Sequence, residues 1–252
     1  MNSTIEEVCR ALFKFWFVDF GPVRAKVEDR WKKGESLSGM PAEMWEFWPS
    51  EFEESEIGEI PKGWRMGTLD QLATITMGQS PPGETYNEAG EGTPFYQGVR
   101  DFGARFPTRR VYCTAPTRFA ERGGVLLSVR APIGRTNLAS ERCAIGRGLC
   151  SVEPLRNVGS YLFYLLKTQH EAWEALEAKG TVFGAATRKD VEKLPVLVPN
   201  TDVMHSFNRA VRPLNSRYAL CDNESYGLAL TRDALLPKLL SGEIRLPLDM
   251  GH

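Results

Sequence analysis

Apolar residues at helical spacing open the chain. Ile5, Val8, Leu12 and then Phe15 or Trp16 recur every three or four positions, behind a Ser3-Thr4-Ile5-Glu6-Glu7 run that fits a capping box, and Gly21-Pro22 reads as the stop. Phe13, Phe15, Trp16, Phe17, Val18 and Phe20 make its apolar surface wide and aromatic. A helix of roughly sixteen residues cannot leave that surface in water, so it must dock on something. The next stretch, Lys26 to Glu59, mixes acidic residues with Trp31, Trp45, Phe47 and Trp48 and reads as a loosely structured connection packed by its aromatics.

From Ile60-Pro61-Lys62-Gly63-Trp64 onward the texture changes to short β-like runs at Thr68 to Thr76, Val111 to Cys113, Gly124 to Val129 and Gly148 to Val152, separated by Gly and Pro turns. Val158 to Lys179 then has a helical pattern with Tyr161, Leu165, Trp173 and Leu176 among its apolar positions and Gly180 as C-cap. Leu194 to Val198 reads as a short buried strand. In the tail, Val203, Phe207, Ala210, Leu214, Tyr218, Cys221, Ser225, Leu228, Leu235 and Leu239 form a coiled-coil-like seam, weakened by Pro213, Gly227 and Arg232. Such a stripe wants a partner helix, either the aromatic N-terminal helix or a second copy of the chain.

These patterns predict an α+β protein: one globular mixed α/β module at 58–199, an N-terminal helix with its aromatic and acidic connector at 1–57, and a long C-terminal helix at 200–252. With 252 residues, 42% hydrophobic and 25% charged, the chain is long enough for one or two domains with buried cores. The strongest apolar stretch, Phe13 to Phe20, contains Lys14 and Asp19, is too short to cross a bilayer and lacks a signal-peptide cleavage site, so a cytoplasmic protein with no membrane partner is expected. Cys9, Cys113, Cys143, Cys150 and Cys221 are odd in number and scattered, without a CxxC pair, which suggests reduced thiols rather than disulfides or a zinc cage. His170, His205 and His252 are not spaced as ligands with any Cys or carboxylate, so no metal is expected.

The formal net charge of -1 conceals a segregation. Ten arginines face only Asp101, Glu121 and Glu141 between Arg100 and Arg147, a local excess of +7, whereas Glu28 to Asp70 carries an excess of six negative charges. A basic lobe of this kind is the electrostatic footprint of phosphate-backbone binding, although arginines on strands and turns can also simply solvate a surface.

Catalytic signatures fail one by one. Gln79-Ser80-Pro81-Pro82-Gly83 is close to the catalytic turn of amino-methyltransferases, but Gly83 stands where an aromatic platform for a flipped base is needed, so a plain turn is the better reading. There is no GxSxG, HExxH or Walker A run, and Gly90, Gly92 and Gly98 do not form a dinucleotide fingerprint. What remains is a set of polar, glycine-rich turns: 77–80, 95–101, 128–137 and 186–189. Arg suits guanine, Gln or Asn suits adenine, and Lys, Ser and Thr suit phosphates. Candidate DNA contacts are therefore Gln79, Ser80, Gln97, Arg100, Arg105, Arg130, Arg135, Thr136, Arg188 and Lys189, with a structural ion pair as the other use open to Arg130.

Together these segments resemble the target recognition domain of type I restriction-modification specificity subunits. The resemblance is carried in order by Gly58-Glu59-Ile60-Pro61-Lys62-Gly63-Trp64, Gly78-Gln79-Ser80-Pro81, Pro94-Phe95-Tyr96-Gln97-Gly98, the run from Gly124 to Gly134, and Thr187-Arg188-Lys189-Asp190-Val191 before Leu194-Pro195. The run from Leu12 to Val23 is similar to the end of the family's central conserved helix, and Leu235 to Ile244 to the end of its second conserved helix. Relative to a full subunit, a first recognition domain and most of the following helix are missing.

The resemblance implies a non-catalytic DNA-binding subunit that binds no cofactor, reads double-stranded DNA and positions methyltransferase subunits, which use S-adenosylmethionine, together with a restriction and translocation subunit. A half subunit of this kind is expected to dimerise through its terminal helices, at Leu12, Phe13, Trp16, Phe17, Phe207, Leu214, Tyr218, Leu228 and Leu235, and to read a symmetric bipartite site. Two other readings stay open: an accessory half subunit that pairs with a different specificity chain, and a stand-alone DNA-modifying enzyme.

Overall fold

The computed structural model describes residues 1–37, 40–178 and 185–244. Helix α1 spans Asn2–Phe17, and the Met1 carbonyl accepts from the Ile5 N–H at 3.1 Å. Met1 therefore occupies the cap, and the Ser3 capping box expected from the sequence lies one residue inside the helix. The helix ends at Phe17, before the expected stop, and Gly21-Pro22 begins a second helix instead. This is α2, Gly21–Val27, with Pro22 in its first turn and Phe20 in the left-handed conformation before it. Proline's missing N–H costs nothing in a first turn, so the dipeptide that reads as a stop serves here as a start.

The acidic connector is more ordered than its composition implies. A 3₁₀ turn covers Ala42–Phe47, and strands β1 (Phe52–Ser55) and β2 (Gly58–Pro61) form an antiparallel hairpin. Its aromatics do hold it together. Lys26 places Nζ 3.7 Å from the Trp45 ring centroid and donates to the Trp45 and Trp48 carbonyls at 2.5 Å each, while Trp45 Nε1 donates to the Trp31 carbonyl at 3.1 Å.

The remaining strands are β3 (Arg65–Thr68), β4 (Ala73–Met77), β5 (Tyr86–Asn87), β6 (Thr93–Tyr96), β7 (Tyr112–Cys113), β8 (Phe119–Ala120), β9 (Val125–Ser128), β10 (Thr136–Leu138), β11 (Cys143–Ile145), β12 (Leu149–Pro154) and β13 (Pro195–Val198). A four-stranded antiparallel sheet runs β10-β9-β12-β4, a five-stranded mixed sheet runs β5-β7-β6-β11-β8, and β13 pairs with β3. β9 is buried along its whole length, through the apolar Val125, Leu126 and Leu127 to the polar Ser128 at its end. The stretch read as one strand from Thr68 to Thr76 is divided by a 3₁₀ turn at Leu69–Gln71, where Asp70 accepts from Thr68 Oγ1 at 2.5 Å and from Lys193 Nζ at 2.8 Å.

The helical pattern after Val158 becomes two helices, α3 (Gly159–Thr168) and α4 (His170–Ala178). Thr168 bonds its own hydroxyl back to the Leu165 carbonyl at 2.8 Å at the break. The expected C-cap Gly180, with Lys179, lies outside the described residues. A short α5, Arg188–Glu192, starts from a complete capping box of Thr187 and Asp190. The tail is one continuous helix, α6, Thr201–Leu240, which runs through both Pro213 and Pro237.

The chain divides into two compact units, residues 12–210 and residues 1–11 with 211–252. In the larger unit Phe17 stacks edge-on to Tyr161 at 4.7 Å and to Phe207 at 5.3 Å, Phe13 meets Phe207 at 5.7 Å, and Trp16 meets Trp48 at 5.3 Å. All of these rings are buried. This corrects the expectation that Phe13, Trp16, Phe17 and Phe207 form a dimer surface: their docking partner is their own chain. In the smaller unit Cys9 Sγ lies 4.0 Å from Asn215 Oδ1, and Val211, Tyr218 and Cys221 are buried. Leu12 and Leu214 are half-buried, while Leu228 (71% exposed) and Leu235 (41%) lie open on α6.

Candidate nucleic-acid interface

Strand direction gathers the polar turns. β9 and β4 both run antiparallel to β12, so the ends of β4 and β9 and the starts of β10 and β12 share one edge of the four-stranded sheet, in the register Cys150↔Met77, Leu149↔Ser128 and Thr136↔Leu127. β11 and β6 are parallel and finish in register at Ile145↔Tyr96, which adds the turn after each. Gln79 and Ser80, Gln97, Arg130, Arg135 and Thr136, all expected from sequence, therefore sit at a common end.

Backbone hydrogen bonds tie these turns together. Gly78 N–H donates to the Leu149 carbonyl at 2.9 Å, Gln79 N–H to Ile145 at 3.0 Å, Gly146 N–H to Tyr96 at 2.8 Å and Val129 N–H to Gly148 at 2.9 Å. The approach is close enough to require glycine. A Cβ on Gly78 would lie 2.1 Å from the Gly146 oxygen, and one on Gly148 would lie 2.2 Å from the Gln97 oxygen. Ala186 N–H donates to the Val129 carbonyl at 2.7 Å, and Arg130 forms a β-bridge with Ala185, which brings the start of α5 to the same edge.

The β9–β10 turn is fixed from both sides. Ser128 Oγ donates to the Pro132 carbonyl at 2.6 Å and accepts from the Arg135 N–H at 2.9 Å. Ile133 N–H donates to the Glu177 carboxylate on α4, and the Trp173 side chain lies where a Cβ on Gly134 would stand. Arg130 and Arg135 are thus exposed side chains on a rigid turn. Arg100, also exposed, lies in a 3₁₀ turn beyond Gln97, and both line a cavity of about 460 Å³ floored by Tyr86 and Phe95. Lys189 is exposed, whereas Arg188 is held by Glu192 at 2.6 Å.

Arg105 does not belong to this surface. It is 2% exposed, donates from Nη2 to the Tyr164 hydroxyl at 3.0 Å, and lies over the Phe163 and Tyr164 rings at 5.4 and 5.8 Å. A guanidinium stacked on two rings is a core element here, which corrects its expected role as a DNA contact. The three carboxylates already counted in the local excess are taken up by three of its arginines: Arg109 pairs with Glu141, Arg110 with Asp101 at 2.9 Å and also with Glu88 at 3.3 Å, and Arg142 with Glu121 at 2.9 Å. Among the described residues no carboxylate lies within 4 Å of Arg100, Arg118, Arg122, Arg130, Arg135 or Arg147. Five of these six lie at or beside this edge, Arg118 through its carbonyl, which accepts from the Ile145 N–H at 3.0 Å at the end of β11, and Arg122, ahead of β9, lies at the opposite end of that strand.

Arg147 is the residue the sequence reading passed over. It lies between β11 and β12 within Gly146-Arg147-Gly148, is exposed, and donates its N–H to Ser80 Oγ at 3.2 Å. The two flanking glycines were its only signal, and their meaning depends on the strands they separate. Among the described residues there is no group of three or more His, Cys, Asp or Glu side chains able to hold a metal, and no helix is long and apolar enough to cross a membrane.

Comparison with known proteins identifies the family of the chain. Residues 61–203 match the family model for the type I restriction modification DNA specificity domain. The putative type I restriction enzyme MjaX specificity subunit of Methanocaldococcus jannaschii is 33% identical over 199 residues, covering 77% of this chain and 47% of that one. The HindI specificity subunit of Haemophilus influenzae is 24% identical, covering 97% and 62% respectively, so the chain spans about half to three fifths of these relatives. Among solved structures, the HsdS subunit from Thermoanaerobacter tengcongensis is similar at TM-score 0.50 and 29% identity, over 96% of this chain and 58% of that one. A chain from a type I restriction-modification assembly is similar at TM-score 0.53 and 28% identity, over 94% and 56%. The S subunit from M. genitalium, at 15% identity, TM-score 0.56 and coverage of 94% and 55%, shares the fold. With the family model matching more than half of its residues, this chain belongs to the type I restriction modification DNA specificity domain family.

Proposed function

We propose that this chain confers sequence specificity on a type I restriction-modification complex by reading double-stranded DNA with the edge formed by the turns after β4, β6, β9 and β11. The observation that carries the reading is the convergence of those turns around arginines that no carboxylate among the described residues neutralises. Glycine-permitted contacts fix the backbone of the edge, and its polar side chains face solvent, as base reading requires.

In this reading the segment 58–199 is the target recognition domain, and the chain does no chemistry on DNA. Methyl transfer from S-adenosylmethionine belongs to a modification subunit, and translocation and cleavage belong to a restriction subunit. Two copies pair along the exposed part of α6 and present two recognition edges, so the target is a symmetric bipartite sequence. The compartment is the cytoplasm, where DNA is reachable and the buried thiols stay reduced.

The test is to combine the full chain with a modification subunit, duplex DNA and labelled S-adenosylmethionine, and to map the modified bases. Modification confined to a symmetric bipartite sequence, and dependent on both proteins, is the expected result. An asymmetric sequence would mean pairing with a different specificity chain. Modification by this chain alone would overturn the reading.

A further inference from the structure

We infer that Arg147 is a base-reading residue, the guanine contact at the centre of the recognition edge. The inference rests on the recognition function proposed above and adds a residue that the charge pattern alone does not single out.

Three features converge on it. Position comes first: Gly146-Arg147-Gly148 joins the five-stranded sheet to the four-stranded one, and the turn is bonded to the segments after β4, β6 and β9. Gly146 N–H reaches the Tyr96 carbonyl, Val129 N–H reaches the Gly148 carbonyl, and Arg147 N–H reaches Ser80 Oγ. Arg147 thus stands between the Gln79-Ser80 turn, the Gln97 turn and the Arg130 turn.

The second feature is steric. Gly146 would bring a Cβ to 3.0 Å from Gln97 Cα and Cγ, and Gly148 would bring one to 2.2 Å from the Gln97 oxygen. Gly148 must therefore be bare backbone, a side chain at Gly146 would press on Gln97, and Arg147 is the one side chain the tripeptide offers. The third feature is chemical. The guanidinium is exposed and meets no carboxylate among the described residues, while its own backbone is pinned. A planar fork of donors on a fixed backbone suits bidentate pairing with guanine O6 and N7, the arrangement in which Arg discriminates between bases rather than only neutralising phosphates. A phosphate contact needs no such central, rigid seat.

The experiment selects bound sequences from a randomised duplex library with the full chain, alone and with a modification subunit, for the native protein and for Arg147→Ala and Arg147→Lys. Arg147→Ala is expected to lose preference at one G·C pair of each half-site, with roughly ten- to a hundredfold weaker binding of the native target, while the dependence of affinity on salt keeps nearly its native slope. Arg147→Lys keeps the charge and should recover only part of the base preference. Circular dichroism and thermal melting of both variants should match the native protein, because the side chain is exposed. An unchanged selected motif in Arg147→Ala, or a uniform loss across all sequences with a shallower salt slope, overturns the inference and leaves the recognition function standing. A native protein that selects no motif in either form overturns both.

Discussion

Arg105 Nη2 donates to the Tyr164 hydroxyl at 3.0 Å in the protein interior, so one of the most basic stretches of the chain uses an arginine to join a loop to helix α3. The Arg105 carbonyl also accepts from the Leu138 N–H at 2.8 Å, which places both ends of the residue in the framework beneath β10. Arg105→Ala removes the stacked side chain and leaves the buried Tyr164 hydroxyl without this donor. A loss of roughly 2 to 4 kcal/mol is expected, read by denaturant or thermal unfolding. DNA affinity of the fraction that remains folded should be unchanged, and a specific loss of affinity with native stability would return Arg105 to the interface.

Position, rather than charge, should decide which arginines matter for DNA. Each phosphate contact adds about 0.9 to the slope of log affinity against log salt. The double variant Arg130→Ala and Arg135→Ala should weaken binding to all sequences and flatten that slope by roughly one to two. Arg122→Ala removes one positive charge from the opposite end of β9 and should change neither quantity, whereas Arg130→Ala or Arg135→Ala alone should each change both. Equal effects from both ends would point to a diffuse basic surface in place of a reading edge.

The contrast between Arg105 and Arg130 also shows what the sequence carries and what it omits. Counting charges located the basic region correctly, because composition is local. Which guanidinium is buried, paired or presented depends on partners far along the chain: Tyr164 for Arg105, Glu141 for Arg109, Glu121 for Arg142. The aromatic α1 was legible as a helix that must dock, but Phe207, nearly two hundred residues later, had to be placed before its partner was known. Strands of two or three residues such as β5, β8 and β11 leave too little periodicity to be read. Arg147 was missed for that reason, since its turn exists only once β11 and β12 are in place.

The buried thiols should make the protein sensitive to alkali. Burial pushes Cys143 up to about 12, reinforced by the nearby Glu141, Glu153 and Glu121 carboxylates, and burial alone pushes Cys150 to about 12. Burial raises the Tyr96 and Tyr161 phenols as well. In the unfolded chain these groups release protons at lower pH than in the native state, so the native state binds more protons above the ordinary thiol range. Stability is then fully present below about pH 9 and falls as pH rises toward 12. Denaturant midpoints measured from pH 7 to 11 should decline in the upper part of that range. At neutral pH all five cysteines should resist a thiol reagent until the chain unfolds.

The dimer prediction separates two sets of residues that the sequence alone placed together. Forty residues of α6 extend for about 60 Å at 1.5 Å per residue, whereas the sixteen of α1 reach only about 24 Å. Leu214, Tyr218, Cys221, Ser225, Leu228, Arg232, Leu235 and Leu239 keep a four-three alternation along α6, and the stripe changes from buried at Tyr218 and Cys221 to exposed at Leu228 and Leu235. In the proposed dimer a second copy of the same helix supplies the cover at the exposed positions. Leu228→Asp with Leu235→Asp should therefore give a folded monomer by light scattering, with a native thermal transition in the recognition domain and affinity for the bipartite duplex reduced to that for a single half-site. Phe207→Ala acts on the other set: it cuts into the intrachain aromatic cluster and should cost roughly 3 to 5 kcal/mol of stability without selectively dissociating the dimer. If the double aspartate variant stays dimeric, the pairing surface lies elsewhere on the chain.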